Sequence, residues 1–219
     1  MSKSGLLIAF EGIDGCGKST QAQRFVERHQ ERVAPRAIGL VREPGGTPFG
    51  ERVRELLLHG DGMSPLPEML LYMASRAELY TTCVGPALDR DEVVVLDRSH
   101  YSTAAYQGSG LDVDEELIFE LARRATGGRE PDRVVLLDTP VVEAARRRQG
   151  VVPVGADAGS EGPVEDRIES RGDAYFETVR AAYLRYAAAA PDRFRVVDGT
   201  GDAQAVVARV DAALEDLLS

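Results

Sequence analysis

Three glycines, a lysine and a hydroxyl residue fall within eight positions of this chain: Gly12-Ile13-Asp14-Gly15-Cys16-Gly17-Lys18-Ser19, with Thr20 directly behind. The spacing matches G-x-x-x-x-G-K-[ST]. Glycines at those positions let successive backbone N–H groups converge on a phosphate, and a helix N-terminus behind them adds positive potential. Lys18 offers a compact ammonium to the outer phosphates of a nucleoside triphosphate, and Ser19 a hydroxyl to a divalent cation. The chain has 24 arginines and only two lysines, Lys3 and Lys18. A lysine kept at position 18 marks a site that wants a point charge rather than a planar fork. Cys16 reads as a small filler in a crowded turn. A reactive thiol, activated by the helix end, is the alternative.

Other charged residues fall at the ends of apolar runs. Val93-Val94-Val95-Leu96 leads into Asp97, a carboxylate placed to serve Mg²⁺ directly or through water. Glu11 and Asp138 end two similar runs. Arg42 follows the second run and Arg98 the third, so two guanidiniums at neighbouring strand ends can bracket a second phosphate. Tyr72 and Arg76 are spaced i, i+4 and share a helix face, roughly opposite the Met69/Met73 side. A ring that stacks beside a guanidinium that donates suits a flat base, although an exposed cation–π pair has the same spacing. Arg146-Arg147-Arg148 precede a Gly/Ala/Pro-rich stretch over 149–163 that reads as a mobile flap.

Positioning these groups requires strands that end together. Short all-apolar runs over 6–10, 37–41, 93–97, 134–138 and 194–197 alternate with helical patterns over 18–30, 51–58, 66–77, 115–124, 139–148 and 202–218. The alternation predicts an α/β fold with a five-stranded parallel sheet covered by helices on both faces. Ligands bind such sheets at the carboxyl ends of the strands. At 219 residues the chain fits one domain over 1–219 with an insertion at about 149–164.

Composition narrows the function further. A net charge of −10 and pI near 4.9 argue against wrapping long nucleic acid. Cys16 and Cys83 form neither a disulfide framework nor a C-x-x-C pair. No apolar run approaches ~18 residues, so no membrane span is expected. The lead-in over 1–5 lacks a signal-peptide layout, which points to the cytoplasm. The chain has no asparagine, so the asparagine-lysine-x-aspartate reader of guanine is absent and a GTPase is excluded. A small kinase acting on a small acceptor remains.

From Leu6 to about Ala190 the chain resembles the thymidylate kinase family, bacterial type with lid arginines. The resemblance rests on the phosphate loop, Arg42-Glu43-Pro44-Gly45-Gly46-Thr47 with Gly50-Glu51, Tyr72 to Arg76, Asp97-Arg98 with Ser102 and Ala105-Tyr106-Gln107-Gly108, Leu137-Asp138-Thr139-Pro140, Asp166-Arg167-Ile168-Glu169, and Val179 with Tyr183. It implies a P-loop nucleoside monophosphate kinase fold with a mobile lid. It also implies transfer of the γ-phosphate of ATP to dTMP with Mg²⁺, and a homodimer. By matching position, residues 12–20 are the ATP loop, and Lys18, Arg146, Asp14 and Arg98 are catalytic. Ser19 and Asp97 serve the metal. Asp14, Arg42, Tyr72, Arg76, Arg98, Ser102, Tyr106 and Gln107 hold dTMP. Arg76 contacts the base edge, and Tyr106 is placed to exclude a ribose 2′-hydroxyl. The phosphate loop carries no arginine of its own, so charge on the transferring group must come from the lid. Arg146 matches best there, with Arg147 or Arg148 able to substitute. The chain departs from the family at Ser99, where tyrosine or histidine is usual, with His100 available to take over, and in its longer lid. Another small P-loop kinase, for a nucleotide or deoxynucleoside, and a non-catalytic nucleotide-binding module are the rival readings.

Overall fold

A computed structural model describes residues 5–150 and 167–217. Five parallel strands form one sheet in the order β2-β3-β1-β4-β5. They are β1 Leu6–Glu11, β2 Ile38–Arg42, β3 Val93–Asp97, β4 Arg133–Asp138 and β5 Phe194–Asp198. The three central strands are apolar because helices cover both their faces, and Val93 to Asp97 is buried at every position. Edge strand β2 has no fully buried residue. The register aligns Phe10 and Arg42 with Asp97, so β1, β2 and β3 end in one row.

Helices fill the crossovers. α1 (Lys18–His29) starts directly on the glycine loop, capped by Gly17 at φ 96°. α2 (Pro48–His59) is capped by Thr47, whose Oγ1 accepts from Gly50 N at 2.9 Å. α3 (Pro65–Leu79) runs through a π-turn over Tyr80–Val84 into α4 (Gly85–Asp89). Pro86 lacks an N–H and crowds the preceding turn, which an i→i+5 turn relieves. α5 (His100–Thr103) likewise continues as a π-turn over Ala104–Ser109, the stretch that holds Tyr106 and Gln107. α6 (Glu115–Ala125), α7 (Val141–Gly150), α8 (Asp173–Ala189) and α9 (Ala203–Ala213) complete the layers. The expected closing helix over 202–218 ends as α9 at Ala213, followed by a 3₁₀ turn at Glu215–Leu217.

The expected lid at about 149–164 lies outside the described residues beyond Gly150. Among the described residues, no helix is long and apolar enough to cross a membrane.

Candidate active site

The phosphate loop joins β1 to α1 with Gly12, Gly15 and Gly17 all at positive φ. At Gly15 a Cβ would lie 2.2 Å from the Ala144 carbonyl oxygen, so α7 packs on bare backbone here. At Gly12 a Cβ would meet Cys16 Sγ and the Leu137 oxygen, both at 2.7 Å. Cys16 is therefore a buried filler. Burial pushes its thiol pKa up, against the pull of Lys18, and makes it inert.

Asp14, in the same loop, ties the two halves of the site together. Its carboxylate accepts from Arg98 Nη2, from the Tyr106 hydroxyl at 2.9 Å and from Lys18 Nζ at 3.3 Å. Burial alone would raise its pKa, but Arg98 and Lys18, with the Tyr106 hydroxyl, hold it well below the usual range. Asp14 is an ionised anchor. Arg98 has a φ of 76°, a left-handed conformation held by its N–H bonding to the Phe10 oxygen at 3.0 Å. Its Nη1 donates to Ser102 Oγ at 3.0 Å.

Glu11 sets this arrangement from beneath. It accepts from Ser99 N and Oγ (both 2.7 Å), Ser102 N (3.2 Å) and Oγ (2.6 Å), and the Tyr183 hydroxyl (2.8 Å). Ser99 is thus the anchor of the turn after β3. His100 does not take over that place. It is buried, with Tyr101 and Phe119 as ring neighbours. Asp138 is spent differently, in a fork with Arg180 of α8 at 2.6 and 3.0 Å.

Two cavities meet at Asp14 and Arg98. The larger, about 560 Å³, is lined by Lys18, Ser19, Arg42, Arg54 and Asp97 among others. The smaller, about 70 Å³, is lined by Tyr72, Ser102, Thr103, Tyr106, Gln107 and Leu58, with Arg54 shared. Arg42, Arg54 and Arg98 thus gather around the junction. Burial lowers the Arg54 pKa, and its neighbours Arg42 and Arg98 lower it further. An anion bound between them would relieve that mutual repulsion. Sequence reading missed Arg54; its signal was a position one turn before Leu57–Leu58 on the helix that follows the Arg42 motif. Arg42 itself is partly occupied by Glu51, at 2.9 and 3.0 Å.

One expectation about this pocket fails. Arg76 does not share an exposed face with Tyr72; it is 2% exposed and turned inward. Its Nε donates to Glu43 at 2.6 Å and its Nη2 to Thr103 Oγ1 at 3.1 Å. A buried carboxylate in the Arg42 motif draws the guanidinium into the core, where the pair compensates each other. Tyr72 remains half-buried at the pocket wall.

The arginines of α7 also separate. Arg146 is 75% exposed and pairs with Glu143 on its own helix at 2.9 Å. Arg147 donates to the Cys16, Gly199 and Gly201 carbonyls at 3.0–3.3 Å and ties the phosphate loop to the β5–α9 connection. Arg148 donates to the Asp14 carbonyl at 2.6 Å and lies over the Phe176 ring at 4.3 Å.

A cation bound with phosphates needs few protein ligands. Among the described residues, no cluster of three or more His, Cys, Asp or Glu side chains forms a metal cage. Asp97 Oδ1 is nevertheless a buried carboxylate oxygen with no hydrogen-bond partner among the described residues, in the cavity that Ser19 also lines. These two oxygens fit a hard divalent cation that takes its other ligands from phosphate and water.

Known proteins resemble this chain over nearly its whole length. The family model described as thymidylate kinase matches residues 10–210. A thymidylate kinase of Bifidobacterium longum is 39% identical over 219 residues, covering 98% of this chain and 99% of its own. One from Burkholderia cenocepacia is 43% identical over 199 residues, covering 90% and 91%. A crystal structure of thymidylate kinase from Ehrlichia chaffeensis superposes with a TM-score of 0.75 at 30% identity, covering 97% of this chain and 99% of that one.

Proposed function

The chain belongs to the thymidylate kinase family, and from that premise we propose how its residues move the γ-phosphate of ATP onto dTMP. It is an ATP-dependent nucleoside monophosphate kinase that makes dTDP. One observation carries the assignment of roles. The cavity lined by Lys18 and Ser19 and the smaller cavity lined by Tyr72 and Gln107 share Asp14, Arg54 and Arg98, so donor and acceptor phosphates meet at the junction.

The loop over 12–20 cradles the ATP phosphates, with Lys18 on the outer two. Lys18 reaches them by exchanging its contacts with Asp14 and the Ile13 carbonyl, weak at 3.3 and 3.4 Å. Arg42, Arg54 and Arg98 receive the phosphate of dTMP. Ser102 fixes Arg98, and Asp14 holds both Arg98 and Tyr106 at the sugar. Tyr72 stacks on the base, and Thr103 and Gln107 read its edge. Arg76 acts one layer behind, through Thr103. Ser19 and Asp97 would hold Mg²⁺, which would neutralise charge on the ATP phosphates. A dTMP phosphate oxygen then bonds to the γ-phosphorus as the bridge to the β-phosphate breaks and ADP leaves. The protein supplies alignment and positive charge rather than covalent chemistry. Arg148, already against the phosphate loop, is the α7 arginine best placed to stabilise the transferring group.

We further propose that residues 1–219 act as one kinase domain in the cytoplasm and that two copies pair. Leu56, Leu66 and Leu70, on the two helices that supply Leu58 and Tyr72 to the acceptor pocket, stay 46–48% exposed.

The test is ADP release with Mg²⁺-ATP against dTMP, dUMP, UMP, dCMP, AMP, GMP and thymidine. Strong preference for dTMP is expected. Preference for thymidine would show that Arg42, Arg54 and Arg98 receive no acceptor phosphate, and would overturn the assignment.

A further inference from the structure

Glu68, on α3, is fully buried and touches no part of the phosphate machinery. Three donors converge on it. Arg167 Nη1 lies at 2.6 Å, Arg171 Nη2 at 2.7 Å, and Gln107 Nε2 at 2.8 Å. Arg167 is fixed in turn by the Leu57 carbonyl at 3.0 and 3.1 Å, and Arg171 by the Tyr175 hydroxyl at 2.7 Å. A carboxylate gripped by two guanidiniums presents its oxygens as acceptors.

The consequence falls on Gln107, which is 1% exposed and lines the acceptor pocket. An amide side chain has one donor end and one acceptor end, and its neighbours decide which way it points. Turning Gln107 over would set its carbonyl oxygen against the Glu68 carboxylate. Its nitrogen must therefore face Glu68, which leaves Oε1 as the group offered to the pocket.

We propose that Glu68 is a positioning residue that sets the polarity of the base pocket. It makes Gln107 present an acceptor and so selects bases with a ring N–H over bases with a bare ring nitrogen. This rests on the dTMP reading above, and it names the physical origin of that preference. Thymine and uracil carry an N–H at the edge where cytosine has an unprotonated nitrogen. Against cytosine the fixed acceptor meets a lone pair, and a buried mismatch of this kind discriminates strongly. The paired arginines let a buried carboxylate hold this position at tolerable desolvation cost.

The experiment measures kcat and KM for dTMP and dCMP with ATP in the full chain and in Glu68→Gln, Gln107→Leu and the double variant. In Glu68→Gln the amide at 68 has its own donor end, so Gln107 can turn over. The dTMP-over-dCMP ratio of kcat/KM should fall by about tenfold or more. The loss should lie in KM for dTMP, with kcat at saturation nearly kept. In the double variant the ratio should match that of Gln107→Leu alone, because Glu68 acts through Gln107. A ratio unchanged in Glu68→Gln, or losses that multiply in the double variant, would overturn the proposal. If Glu68→Gln does not fold, an unchanged ratio in Gln107→Leu overturns it by itself. Failure of the dTMP reading shows separately, as absence of dTMP preference in the unaltered chain.

Discussion

Three consecutive arginines on α7 face three directions because successive residues of a helix are rotated by about 100°. Arg146 returns to Glu143, Arg147 reaches the β5–α9 connection, and Arg148 reaches the Asp14 carbonyl. The family resemblance favours Arg146, with Arg147 or Arg148 as substitutes, but the packing of α7 on Gly15 brings Arg148 rather than Arg146 against the phosphate loop. A guanidinium aimed at the transferring group acts mainly in the transition state. Arg148→Ala is therefore expected to lower kcat by about a hundredfold or more while KM for dTMP changes little. Arg146→Ala should cost less than tenfold by the same steady-state assay. The opposite ranking returns the role to Arg146. The same logic explains why Lys18, Asp14 and Arg98 were legible and Arg54 was not. A glycine-flanked lysine and a strand-ending Asp-Arg carry motif signals, whereas Arg54 sits in an ordinary helical run and gains its position only when α2 folds over the cleft.

Strand runs were readable at the scale of elements because β1, β3 and β4 are apolar on both faces. α8 was harder to see. Its buried residues are Phe176, Val179, Ala182, Tyr183, Tyr186 and Ala187, two of them tyrosine and two alanine, and further alanines lie on its other faces, so apolar contrast is weak. Tyr183 is polar for a reason, since its hydroxyl bonds Glu11. The π-turns after α3 and α5 have no period that a helical pattern reveals. The inward turn of Arg76 follows from Glu43, distant in sequence, and no helix-face argument contains it. The packing of α5 against α6 has a measurable consequence at His100. Burial, with Arg76 and Arg193 nearby, lowers its pKa to about 3, so the ring is neutral and its 3.4 Å contact with Glu130 is not a working ion pair at neutral pH. The unfolded chain binds that proton near pH 6.5 and the folded chain only near 3. Between those values the unfolded state holds more protons, so stability falls as pH drops. The contribution is about 1.4 kcal/mol per pH unit in that window. His100→Gln should flatten the dependence, read as denaturation midpoints from pH 7 to pH 5. An equally steep decline in that variant would place the acid-sensitive group elsewhere.

Charge and shape combine at the scale of the whole molecule. A chain of net charge −10 repels a second copy of itself, yet arginines crowd the cleft beside the phosphate loop. The acidic exterior and basic cleft together favour a small anion over an extended polyanion. Any contact between two copies must then gain from apolar burial what it loses to like charge. Leu66 and Leu70 lie one turn apart on α3, Leu56 is exposed on α2, and α2 and α3 pack together. The same two helices supply Leu58 and Tyr72 to the acceptor pocket, so pairing there would stiffen the wall that holds the base. The two forces respond differently to salt. Screening weakens the repulsion and leaves apolar burial intact, so added salt should tighten the pair. Light scattering at rising dilution should show a dimer whose dissociation constant falls between 50 mM and 500 mM NaCl. Leu66→Glu with Leu70→Glu should give a folded monomer with an unchanged circular-dichroism spectrum, because both side chains are already half in water in the single chain. It should also raise KM for dTMP more than KM for ATP, since the wall of the acceptor pocket is loosened and the phosphate loop is not. A monomer in the unaltered chain at all salt concentrations would mean that the exposed leucines serve no pairing, and that the wall of the base pocket is rigid by its own packing.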